Sequence, residues 1–144
     1  MAFTIKNPPE FTLEVEQWTR ETDADGARMA SGTIEPMLNN DAYLKSEVER
    51  QEHVTLVTLT EAGWAGAAAP YTQTVEVSGA KEGMEPLLVS ALPDGASPEE
   101  QKAYIKAYGI VGSGTGTLGD GTATFKVYKR PAIDITVGLK GVAG

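Results

Sequence analysis

From residue 53 onward the chain is a series of short apolar or alternating runs, several of them separated by turns too short for parallel crossovers. "HVTLVTLT" is β-branched and apolar on both faces, "EPLLVSAL" is short and apolar, and "YTQTVEVSG" alternates with Tyr71, Gln73, Val75 and Val77 on one side. "TATFKVYKR" puts Ala123, Phe125 and Val127 on one face, and "AIDITVGLK" does the same with Ile133, Ile135, Val137 and Leu139. A period of two marks a strand with one face buried. Parallel neighbours need crossovers of about a dozen residues or more, so antiparallel pairing is the natural solution. "LGDGT" marks a hairpin through Asp120-Gly121. With "GIVGSGTGTL" added, this predicts about six strands in an antiparallel β-sandwich. One helix is inserted, over "SPEEQKAYIKAYG". Ser97 caps it, Pro98 takes the first position, Glu100 closes a capping box and Gly109 ends it. Its expected apolar stripe is Tyr104, Ile105 and Tyr108, with Ala103 and Ala107.

Residues 1–52 follow a different pattern. Residues 34–52 read as a helix in which Ile34, Met37, Leu44 and Val48 recur at spacings of 3, 7 and 4, a heptad seam interrupted by Asp41. Pro36 fits the first turn, where its missing N–H is not needed. The stripe is narrow, so the helix either lies on the domain or packs against copies of itself. Residues 1–33 read as irregular, with a possible short strand that alternates Phe11, Leu13 and Val15 with Thr12, Glu14 and Glu16. Asp23, Asp25 and Gly26 match the start of a calcium loop, but its twelfth position lacks Glu, so no metal is expected. The fold expectation is a mainly β chain: an irregular segment and a stalk-like helix in 1–52, then a sandwich in 53–144.

Charge and composition exclude several functions. The formal net charge is −8, and residues 1–52 carry 11 acidic against 5 basic side chains. Such a chain repels phosphate backbones, so nucleic-acid binding is not expected. The cluster Lys126, Lys129 and Arg130 reads as a solvated strand end. No cysteine is present, which excludes disulfides and thiol chemistry. No apolar run approaches the roughly 20 residues of a membrane span, and the N-terminus lacks signal-peptide features. The chain is therefore expected to be made in the cytoplasm, without membrane insertion.

Catalytic motifs are weak. Gly114 to Gly119 match GxGxxG literally, but a strand rather than a helix follows, so hairpin glycines are the better reading. His53 is the only histidine, and no triad or zinc motif forms around it. Glu61, Glu76, Asp120 and Asp134 are ordinary carboxylates for an acidic chain. No enzyme activity and no cofactor are expected. Trp64 stands in "AGWAGAAAPY" beside Tyr71. The two rings are candidates for stacking on a glycan. The preferred alternative is that Trp64 folds back and covers the end of the sandwich, where its large apolar area is useful.

The stretch "TLVTLTEAGWAGAAAPYTQTVEVSG", residues 55–79, resembles a segment of tail-fibre and related virion proteins of bacteriophages and prophages of Gram-positive gut bacteria. "VSALPDGAS", "EEQKAYIKAYGIVGSG" and "GTATFKVYKRPAIDITVGLKG" continue the likeness over residues 54–141, and "NN" before "YLK" is similar to fibre segments upstream. The resemblance implies a trimeric or otherwise multimeric appendage module ending in a β-sandwich, with no catalytic residues. It implies a virion location, contact of the N-terminal segment with other virion proteins, and a host cell-surface glycan as a possible ligand. Read as complete from Met1, the chain suits a head fibre, capsid decoration or baseplate-attached tip better than a long fibre. Ile34, Met37, Leu44 and Val48 would then form the interface of a homotrimer. A monomeric carbohydrate-binding domain is the competing expectation.

Overall fold

The capping box at Ser97 and the Asp120-Gly121 turn both form in the computed structural model, which describes residues 3–16 and 26–142. The chain divides into two compact units, Met1–Glu49 and Arg50–Gly144.

Among the described residues the second unit holds six strands: β1 Val54–Leu59, β2 Tyr71–Glu76, β3 Leu87–Ser90, β4 Thr115–Gly119, β5 Thr122–Val127 and β6 Ile135–Lys140. They form two three-stranded antiparallel sheets, ordered β1-β6-β3 and β2-β5-β4. The hairpin β4–β5 closes through Asp120-Gly121, with Gly119 opposite Thr122 and Gly121 at φ 71°. Both sheets turn their apolar faces into one core. Val57, Leu59, Ile135, Val137 and Leu139 come from the first sheet, and Ala123, Phe125 and Val127 from the second. This arrangement is compatible with a sandwich.

The inserted helix, α3, runs Pro98–Gly112. Ser97 Oγ accepts from the Glu100 N–H, and the Glu100 carboxylate accepts from the Ser97 N–H at 2.7 Å. Those hydrogen bonds hold the Glu100 carboxyl below the usual carboxylate range, the backbone donor first and the side chain second. The helix passes Gly109 by three residues. Burial of Val111 to 4% exposure explains this, because it outweighs the ~1 kcal/mol that a helical glycine costs. Tyr104, Ala107 and Val111 form the buried face, whereas Ile105 is 66% exposed, contrary to expectation. A spacing of three and four from Tyr104 leads to Ala107, Tyr108 and Val111, and Ile105 lies about 100° away around the helix.

The first unit departs further from expectation. Helix begins at Gly26 rather than 34: α1 is Gly26–Met29, a π-helical turn spans Ala30–Ile34, and α2 is Glu35–Glu52. Gly32 makes the π turn compatible with its neighbour, since a Cβ there would collide with the Glu16 side chain. The Gly32 carbonyl accepts the Glu16 N–H at 2.9 Å. The expected strand over Phe11–Val15 does not form. Residues 3–16 instead lie along α2, held by side chains. With these helices the chain is mixed α/β rather than mainly β. Asp23 and Asp25 lie outside the described residues.

Candidate functional site

Two adjacent asparagines on α2 take the place of a partner strand. Asn39 Oδ1 accepts the Lys6 N–H at 2.6 Å while its Nδ2 donates to the Glu35 carbonyl. Asn40 Oδ1 accepts from the Thr12 N–H at 2.8 Å, and its Nδ2 donates to the Thr12 carbonyl at 2.9 Å. Thr4 donates its N–H to Glu35, and the Phe11 and Tyr43 rings meet at 5.8 Å. A carboxamide carries both a donor and an acceptor, so Asn40 can satisfy the N–H and the carbonyl of one residue, Thr12, as a partner strand would. The "NN" pair is thus a clamp for the N-terminal segment.

Among the described residues of the unit this polar fastening comes without an apolar core. Among its described residues the buried ones are Ala30 and Asn39. Phe3, Ile5, Phe11, Leu13, Val15, Met29, Met37, Leu44 and Val48 are all at least 41% exposed. Met37, Leu44 and Val48 have exposures of 56%, 52% and 54%, and Ile34 is half-buried. At about 100° per residue these four cover an arc of about 80°. The clamp residues Glu35, Asn39 and Tyr43 fall on the opposite side of the helix, while Asn40 lies about 40° from the seam's edge. The seam is therefore an exposed face of α2 that borders the clamp.

A second apolar surface lies on the outer face of the β1-β6-β3 sheet. Val54, Leu56 and Leu87 are 41%, 65% and 68% exposed. Leu56 and Val89 flank Gly138 in register. A Cβ at Gly138 would stand 2.6 Å from Val89 Cγ2 and 2.7 Å from Val54 Cγ1, so only glycine lets the two valines lean together here. Further along the same face the surface turns polar, where the Thr58 and Thr136 hydroxyls pair at 2.9 Å. Sequence reading missed this patch as a site. Its signal was a first strand that is apolar on both faces.

The aromatic candidates have other tasks. Trp64 is 4% exposed and belongs to the core, so its ring faces are closed to a ligand. Tyr71 is half-buried, and the Arg130 guanidinium lies over its ring at 4.4 Å while also donating to the Gly66 carbonyl. The two parts of "AGW…PYTQTV" touch each other. Ala65 and Thr72 exchange backbone hydrogen bonds at 2.8 and 3.0 Å. Gln73, 6% exposed, donates from Nε2 to the Thr60 carbonyl and to Thr60 Oγ1. Gly63 leaves room for that carboxamide, because a Cβ there would overlap Gln73 Nε2.

Asp134 caps the short turn Glu61–Gly63 by accepting the Glu61 N–H at 2.7 Å. Asp120 accepts from the Glu82 N–H. His53 is exposed, and its carbonyl accepts the Gly141 N–H. Among the described residues no group of three or more His, Cys, Asp or Glu is placed to hold a metal ion. No helix among the described residues is long and apolar enough to cross a membrane. Comparison with known protein families, curated proteins and solved structures gives no match.

Proposed function

We propose that this chain is a self-assembling structural and adhesion module of a phage virion. In this reading the N-terminal unit associates into a homotrimer and docks to other virion proteins, and an antiparallel β-sandwich is presented outward, towards a host cell-surface glycan. One observation carries the assembly part: a helical unit whose large apolar side chains are exposed and whose own contacts are mainly polar. Large exposed apolar surface marks an interaction site. The virion part rests on the resemblance of residues 54–141 to phage fibre proteins.

The energetics favour more than one contact. Covering the exposed half of Met37, Leu44 and Val48 is worth about 1 kcal/mol each, or about 9 kcal/mol for three copies. Bringing copies together costs an estimated 4–15 kcal/mol per association. The seam alone is therefore marginal, and the Val54, Leu56 and Leu87 patch is a natural second contact between copies. Light scattering after size exclusion tests the reading. The full chain should have the mass of a trimer, and Leu44→Asp should lower it to that of a monomer. A monomeric wild-type chain, or a Leu44→Asp variant with unchanged mass, sinks the assembly reading.

A further inference from the structure

The C-terminal unit carries a groove of about 400 Å³ between α3 and the segment after β5. Lys102 and Lys106, one helical turn apart, stand on one wall, and Lys129 and Arg130 on the other. Ala103, Ala107, Ile110 and Ile133 form its aliphatic lining, and Glu99 is its single acid. All four cations are exposed. Among the described residues Lys102, Lys106 and Lys129 have no carboxylate partner. A chain of net charge −8 thus gathers four of its 12 cations around one apolar furrow.

We propose that this groove receives the acidic segment Glu10–Glu16 of a second copy. Charge complementarity and pattern both select it. "EFTLEVE" alternates apolar residues with polar ones, three of the four polar ones glutamate, which matches cationic walls over an aliphatic floor. Leu13 is 89% exposed and Glu14 is exposed. The hydrogen bonds of Thr12 to Asn40 occupy one edge of this segment and leave the Leu13 edge open. The Lys6–Glu10 pair is exposed, with side chains at 60% and 66%, so exchanging it for a groove lysine costs little. Glu16, by contrast, is held by Arg28 and by the Gly32 carbonyl, so Glu10 and Glu14 are the carboxylates the segment offers most readily. The lining stretch of α3 from Glu99 to Ile110 is ~17 Å long, which holds about five extended residues, enough for Glu10–Glu14 but not for the whole segment at once. A glycan or single-stranded nucleic acid would want an aromatic platform. The groove has none among its lining residues.

The inference rests on copies meeting, but its test is independent of the helix seam. A fluorescent peptide of residues 7–18 is titrated into the full chain and into Leu44→Asp, with anisotropy as the readout. Saturable binding to Leu44→Asp is expected, weakened at least about tenfold by adding Lys102→Glu and Lys106→Glu, and similarly by replacing the peptide's three glutamates with Gln. Higher salt should weaken it further. Both lysines are exposed, and an unchanged melting curve checks that the reversed protein folds. Two outcomes overturn the proposal. One is no binding to either protein. The other is binding indifferent to the lysine reversals, which would place the peptide elsewhere, such as the cleft of about 360 Å³ by Leu88 and Phe125. Failure of the trimer with retained peptide binding would count against the seam alone.

Discussion

Gly63→Ala probes how the two halves of the mid-chain motif fit. The added methyl would overlap Gln73 Nε2 and stand 2.7 Å from Gln73 Cδ and 2.6 Å from Thr60 Oγ1. Gln73 then has two options. It can swing away and lose both hydrogen bonds to Thr60, at about 0.5–1.5 kcal/mol each. Otherwise it stays and strains the turn, at about 1–3 kcal/mol. Its Oε1 is already buried without a partner, so the Nε2 bonds to Thr60 are the ones that hold the carboxamide in place. Against this, alanine lowers the entropy of the unfolded chain and returns about 0.4–1 kcal/mol. The net expectation is a loss of about 1–2 kcal/mol, measured by urea denaturation followed by circular dichroism. The decisive comparison is a double-mutant cycle. With Gln73→Ala in place the collision is gone, so Gly63→Ala should become neutral or slightly stabilising, a coupling of about 2 kcal/mol. Equal costs on both backgrounds would refute the reasoning.

Other expectations follow from single contacts. The Tyr104 hydroxyl accepts from the Ala91 N–H and donates to the Thr136 carbonyl, both at 2.9 Å. Tyr104→Phe should destabilise by about 1–3 kcal/mol with an unchanged m-value, because two backbone groups lose their partner. Leu56→Lys changes an exposed position, so monomer stability should stay within about 0.5 kcal/mol of wild type, while light scattering should show a weaker assembly. Glu100 has its carboxyl held below the ordinary range by the Ser97 hydrogen bonds. Its contribution is present above the usual glutamate pKa and is lost as pH falls through the depressed folded value. The stability difference between wild type and Glu100→Gln should therefore shrink on acidification, and a difference that grows in acid would contradict the capping box.

Local chemistry determined much of this protein. The strands from Val54 onward, the Ser97–Glu100 cap and the Asp120-Gly121 turn are legible because each depends on residues within a few positions of one another. The narrow stripe on α2 was legible for the same reason, since helical spacing is local. Which strands pair was not. β1 meets β6 across most of the unit and β3 lies on the other side of β6, and alternation does not specify a neighbour. Helix over 26–34 was hidden by Gly26 and Gly32, whose propensity argues against it until Glu16 fills the space beside Gly32. Ile105 and Leu56 look like core residues in one dimension. Each faces outward because the core took Tyr104, Ala107 and Val111 on the helix and Val57 and Leu59 on the strand. Half of the four-cation groove stood in the sequence as the basic cluster with Lys129 and Arg130, read there as a solvated strand end. Lys102 and Lys106 are separated from Lys129 and Arg130 by more than 20 residues, and only the packing of α3 against the core brings their charges to one furrow.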